Sequence, residues 1–194
     1  MAQREALERR VYRLAVLLTG REDLAIRVLK QVLGDKPKLD DVDSVHLDRM
    51  TILRSREALG DSSGTSQEER QIRGAPQAWA DALWAMPVQV REAWVLARVY
   101  RASARVMARS MDCSTTATER HLAQADAALA HVMGSAVPAF VEQVLEHSMA
   151  IDVPGTFTMW KAGRRRRRRR IAIVLAVLGV VIAGAAVVLW PMMR

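Results

Sequence analysis

Two arginine patterns carry the clearest chemistry in this 194-residue chain, and that chemistry is the binding of anions. Arg98, Arg101, Arg105 and Arg109 recur at intervals of three and four, so on helices they can form a strip that faces phosphates. Arg164, Arg165, Arg166, Arg167, Arg168, Arg169 and Arg170 stand in succession, and the twenty residues after them, Ile171 to Trp190, carry no charge. Residues suited to catalysis are not grouped. His46, His121, His131 and His147 are scattered, with no cysteine or carboxylate at metal-ligand spacing, so neither a metal nor a cofactor is expected. Cys113 is the single cysteine, which rules out a disulfide framework and fits a small apolar packing role. There is no phosphate loop or nucleophile elbow, and the expectation is a protein that is not an enzyme.

The second pattern reads as a membrane anchor. Twenty helical residues cover about 30 Å, the hydrocarbon thickness of a bilayer. The arginine block lies on one side of the span and only Arg194 on the other, which places the preceding residues in the cytoplasm. The block is chiefly a topology signal, and it also suits anionic headgroups, at about 1 kcal/mol per basic residue near the surface. Trp160 and Trp190 stand near the two ends of the span, as interfacial anchors do. The first residues include Arg4, Glu5, Glu8, Arg9 and Arg10 and give no continuous apolar stretch, so insertion is expected to be post-translational or driven by the tail itself.

The anchor also accounts for the formal charge of +8. Lys161, the seven arginines and Arg194 supply nine positive charges with no acid. The other 20 basic residues face all 21 acids, which leaves residues 1–160 at −1. The inference from a basic protein to a nucleic-acid binder is therefore not licensed by composition.

What must position the first arginine set is a series of helices. Leu7, Val11, Leu14 and Leu18 predict an amphipathic helix over 5–19, closed by Thr19-Gly20. A second runs from Glu22 to Leu33, with acids in its first turn, and a third from Ser44 to Leu59. The stretch 60–75 is polar and rich in glycine and serine, which reads as a flexible linker between two helical units. Beyond it, Trp79, Ala82, Leu83 and Met86 share one face. Pro87 ends that helix and opens the next, with Val90, Ala93, Trp94 and Ala97 inward. Trp79, Trp84 and Trp94 read as core. A short helix over Ser103–Ser110, a turn over Met111-Asp112-Cys113-Ser114 with Ser114 as N-cap, and a helix from Thr115 to Val132 follow. Leu122, Ala125 and Leu129 are its inward positions. Pro138–Ala150 predicts one more short helix, and Pro154-Gly155 and Ala162-Gly163 mark the juxtamembrane stretch as loop.

The residues from Met86 to Leu129 resemble region four of bacterial sigma factors of the extracytoplasmic-function group. Met86-Pro87 and Arg91-Glu92 match the family's opening. Ser103 and Ala108 match its first motif helix, Cys113-Ser114 its turn, and Leu122, Ala125 and Leu129 its recognition helix. The resemblance implies a helix-turn-helix whose second helix enters a major groove, with Ser114, Thr115, Thr116, Thr118, Glu119, Arg120, His121 and Gln124 as candidates to reach bases, and Arg105 and Arg109 to reach phosphates. The chain departs from the family at His121 and Gln124, where arginines are common, and at Arg101, where the family has glycine. Residues 76–131 hold six arginines against five acids, so weak intrinsic DNA affinity is expected. Leu17-Leu18-Thr19-Gly20 with Ala25 resembles the start of the family's region two. Ile26, Arg27, Lys30 and Gln31 replace its polymerase-facing acids and glutamine-glutamate ending, and Leu47 to Leu59 contains no aromatic.

These readings imply an all-α protein: a region-two-like unit (1–59), a linker (60–75), a region-four-like helix-turn-helix (76–132), a juxtamembrane segment (133–163), the arginine block (164–170) and one transmembrane helix (171–190). The expected role is a regulator of transcription initiation tethered to the bacterial inner membrane, single-pass, with its N-terminus in the cytoplasm. Its expected partners are promoter DNA, RNA polymerase core, the bilayer and a protein regulator. The alternative is a sigma-derived membrane adaptor that binds neither DNA nor polymerase.

Overall fold

A computed structural model describes residues 2–34, 43–61 and 77–163. The described residues are predominantly helical, with no strand among them. The arginine block Arg164–Arg170, the span Ile171–Trp190, most of the expected linker and the Trp79 side chain lie outside the described residues.

Eight helices can be labelled: α1 (Ala2–Thr19), α2 (Glu22–Gly34), α3 (Ser44–Asp61), α4 (Gln77–Trp84), α5 (Val88–Trp94), α6 (Ala104–Met111), α7 (Thr115–Met133) and α8 (Val137–Ala150). Their ends follow local chemistry. Gly20 stops α1 in the left-handed region, at φ 71°. Glu22 and Asp23 open α2 where its N–H dipoles are unpaired, and the adjacent Arg21 guanidinium holds the Asp23 carboxyl below its ordinary range. Pro87, in extended backbone, ends one helix and precedes α5. α3 runs past the expected boundary to Asp61, so Gly60 and Asp61 are helix rather than linker.

The expected division between 1–59 and 76–132 does not appear as a separation of compact bodies. Residues Met1–Val153 form one compact unit and Pro154–Arg194 a second. In the first unit, α1, α2 and α3 pack on one another, α3 packs on α6, and α5 packs on α7. Leu14, Ala15, Leu17, Leu24, Leu29, Leu47 and Ile52 fill the first part of its core. Trp84 and Trp94 are buried as the sequence predicts, and Trp94 meets Phe140 of α8 at 5.7 Å between ring centroids. α8 is thus part of this core, with Phe140, Val144 and Ser148 inward, not a juxtamembrane appendage.

Polar ties reinforce the apolar packing. Arg10 donates to both carboxylate oxygens of buried Asp48, at 2.9 and 2.7 Å, and its guanidinium lies 4.5 Å from the Tyr100 ring centre. The Tyr100 hydroxyl donates to the Arg10 carbonyl at 3.2 Å. Arg56 of α3 grips Glu92 of α5 in the same two-pronged way. Between α5 and α6 the chain widens into a π-helical turn, Val95–Val99, closed by the Tyr100 N–H on the Val95 carbonyl at 3.3 Å. Arg101 then takes a left-handed conformation, φ 51°.

In the second unit, residues 155–163 are helical, which overturns the expectation of loop there. Gly155 sits just after Pro154, where a helix can start, and the Thr158 hydroxyl donates to the Gly155 carbonyl at 2.6 Å. Phe157 and Trp160, one turn apart, stack at 5.4 Å.

Among the described residues one helical stretch, Thr115–Gly163, is long and apolar enough to cross a membrane by length and composition. Its backbone turns 3-10 at Gly134–Ala136 and is non-helical at Ile151–Pro154, and it carries Glu142 and Glu146 on exposed positions.

Candidate nucleic-acid interface

The candidate interface is α6, the turn after it, and α7. Ser103 caps α6 by accepting from the Val106 N–H at 3.4 Å. Met107, Ala108, Ser110 and Met111 are the buried side of α6, and the small Ala108 side chain lets the next helix cross close by. Asp112 ends the helix in the left-handed region, φ 60° and ψ 47°, a conformation that aspartate tolerates better than most residues. Arg49 of α3 holds its carboxylate at 3.0 Å. That contact joins residues 63 positions apart and has no local signal, although an aspartate in a four-residue turn does signal a left-handed position.

Ser114 then caps α7, accepting from the Ala117 N–H at 3.1 Å, as expected. Thr118 departs from expectation. It is fully buried, its hydroxyl donates to the Ser114 carbonyl at 3.0 Å, and Cys113 Sγ lies 3.1 Å from the Thr118 hydroxyl oxygen. The hydroxyl has one proton and spends it on the carbonyl, so the Cys113 thiol is the donor in the second contact. Thr118 therefore belongs to the joint of the turn and cannot reach a base. A threonine satisfied by its own helix is invisible to a reading that sorts residues by polarity.

The other candidates divide by exposure. Ser114, Thr115, Thr116, Glu119, Arg120 and Gln124 are exposed. His121 is half-buried, with Nδ1 shielded and without a hydrogen-bond partner among the described residues. Of the expected inward positions, Ala125 and Leu129 are buried and Leu122 is half-buried.

Ion pairing redistributes the arginine strip. Arg98 is drawn off by Asp126 of α7 at 2.5 Å. Arg101, Arg105, Arg109 and Arg120 are exposed and make no ion pair with a described residue. Asp112 and Asp126 are each matched by a partner arginine, so Glu119 is the acid on α6 and α7 left unmatched among the described residues. The exposed cationic excess here is larger than the net composition of residues 76–131 conveys.

Arg105 and Arg109, one helical turn apart, line an open hollow of about 550 Å³ together with Ala108, Asp112, Cys113 and Thr115. Thr115 is the first residue of α7, so the hollow lies at the helix end where backbone N–H groups lack helical partners and the helix dipole is positive. Guanidinium groups, an exposed hydroxyl and a helix N-terminus make a chemistry suited to phosphate oxygens. Among the described residues no group of three His, Cys, Asp or Glu side chains converges as metal ligands would.

No family model, no curated protein and no solved structure matches this chain.

Proposed function

We propose that this protein is a membrane-tethered, sigma-factor-like regulator of transcription initiation that contacts promoter DNA through α6 and α7. The observation that carries the reading is the hollow in which Arg105 and Arg109 meet the capped N-terminus of α7. Phosphate contacts at that point would hold α7 in register, and the exposed Thr115, Thr116, Arg120 and Gln124 would then address base edges. The tether is the Ile171–Trp190 span with Arg164–Arg170 on its cytoplasmic side, which gives a single pass through the bacterial inner membrane and a cytoplasmic N-terminus.

The test is duplex binding by the full chain in detergent, measured by fluorescence anisotropy across salt concentrations. Arg105→Ala and Arg109→Ala should each lower affinity for all sequences and flatten the dependence of log K on log salt by about one phosphate contact. Wild-type binding that is absent at low salt, or unchanged in both variants, rejects the DNA reading.

A second reading has its own support. Glu119 lies beside Arg120 on the exposed start of α7, Thr118 is turned inward, and Arg98 is occupied by Asp126. These features suit a sigma-derived adaptor at the membrane whose partner is a protein. Retention of neither duplex DNA nor polymerase core by the full chain would separate that reading from the first.

A further inference from the structure

The C-terminal end of α8 is held by side chains of α1. Arg13 Nε donates to the Ile151 carbonyl at 2.8 Å, its Nη2 donates to the Met149 carbonyl, and its Nη1 lies 3.7 Å from Met149 Sδ. Arg9 pairs with Asp152 at 3.6 Å. One guanidinium thus takes up two carbonyls that α8, ending at Ala150, cannot satisfy itself. The place is notable because the first compact unit ends at Val153, and residues 151–154 are the non-helical connection to the second. Met149 is 70% exposed there, and Asp152 is exposed as well.

Exposed connections between compact units are where proteases cut. A protease binds its substrate as an extended strand, through hydrogen bonds to the substrate backbone. Ile151 already has extended backbone, ψ 114°, so little unwinding is needed to present this segment. What stands in the way is the occupation of its carbonyls.

We propose that Arg13, supported by Arg9, is a clasp that withholds the Met149–Val153 segment from proteolytic cleavage, so that α1 governs the release of the first unit from the second. Cleavage adds one water across the amide, with hydroxide joining the carbonyl carbon and a proton going to the departing nitrogen. The clasp does no chemistry on that bond. It lowers the fraction of time in which the strand is available, as local opening does elsewhere in proteins. The proposal deepens the tethered-regulator reading and rests on it for its biological sense, since cleavage at this point would free the α1–α8 body from everything beyond residue 153.

The experiment is timed digestion of the full chain in detergent by subtilisin, with fragment ends assigned by mass. Arg13→Ala should speed the appearance of fragments ending within 149–153 by about tenfold, the scale of losing hydrogen bonds from a charged donor, while cuts elsewhere keep their rate. Arg13→Lys keeps the charge but not the two-pronged donor, and should accelerate the same site. Arg9→Ala should give a smaller local gain. Unchanged rates in both Arg13 variants overturn the clasp. If Arg13→Ala digests faster everywhere, Arg13→Lys decides: local acceleration upholds the clasp and its absence overturns it. Sedimentation of the wild-type chain with membranes tests the tether separately. A chain that stays in the supernatant yet shows local acceleration would retire the anchor and leave the clasp standing.

Discussion

Arg56 and Glu92 are joined by two parallel hydrogen bonds, 2.8 Å from Nε and 2.6 Å from Nη2, and the glutamate side chain is 1% exposed. The pair ties α3 to α5 across 36 positions of the chain. Glu92 enters the resemblance only as half of an Arg-Glu signature. In the fold it is a carboxylate with almost no access to water, which must be matched or expelled.

Arg56→Ala should therefore cost about 3–5 kcal/mol, because it strands the glutamate charge inside the protein. Replacing both partners, as Arg56→Met with Glu92→Leu, should cost much less than the single change. Urea unfolding of the three proteins checks this, and a double variant as weak as Arg56→Ala would contradict it.

Gly20 lies against Trp84. A Cβ on Gly20 would fall 2.5 Å from the indole Cε2, and the backbone is already left-handed, at φ 71°. Gly20→Ala should lose about 1–2 kcal/mol from the backbone alone and a further 1–3 kcal/mol from overpacking. In Gly20→Ala with Trp84→Ala the second loss should vanish, and a thermal-unfolding double-mutant cycle reads the coupling directly.

Arg101 is an exposed residue other than glycine held in the left-handed region, at φ 51°. Arg101→Gly should stabilise the protein by about 1 kcal/mol by removing left-handed strain from an exposed residue. The same change should weaken duplex binding by the full chain, since it removes an unmatched cation. Duplex affinity that stays unchanged or rises in Arg101→Gly would show that the arginine is not a phosphate contact.

Burial raises the phenols of Tyr12 and Tyr100 above their ordinary value. In the unfolded chain each ionises near pH 10, whereas in the fold each keeps its proton to higher pH. The folded state then binds more protons above that point. This stability is fully present below about pH 10 and is lost as pH rises through the folded values. Between pH 9 and 11 the urea midpoint of wild type should fall more steeply than that of Tyr12→Phe with Tyr100→Phe. Equal slopes would mean that these phenols are not the alkaline-sensitive groups.

Much of the helical layout is legible in the sequence because its punctuation is local. Gly20, the acids at 22 and 23, Pro87, Ser103 and Ser114 each act through their own backbone, and the observed ends lie within a few residues of those expected. The buried Ala125 and Leu129 follow from helical spacing. What escapes is whatever depends on residues far apart in the chain. Glu92 and Asp48 have the composition of surface and the burial of core, because Arg56 and Arg10, more than thirty positions away, meet them. Thr118 escapes for the opposite reason, being satisfied within its own turn. The helix at 155–163 shows that Pro154-Gly155 can start a helix as readily as it can mark a loop.

The π-helical turn at Val95–Val99 also sets a direction. It takes up one residue beyond what an ordinary helix would need, and one residue is about 100° of rotation around a helix axis. The turn therefore offsets by that angle the residue that follows it, Tyr100, whose ring and hydroxyl meet Arg10 of α1. Excise a single residue there and Tyr100 would swing off its bearing toward α1, leaving the Arg10 guanidinium without the ring it lies over.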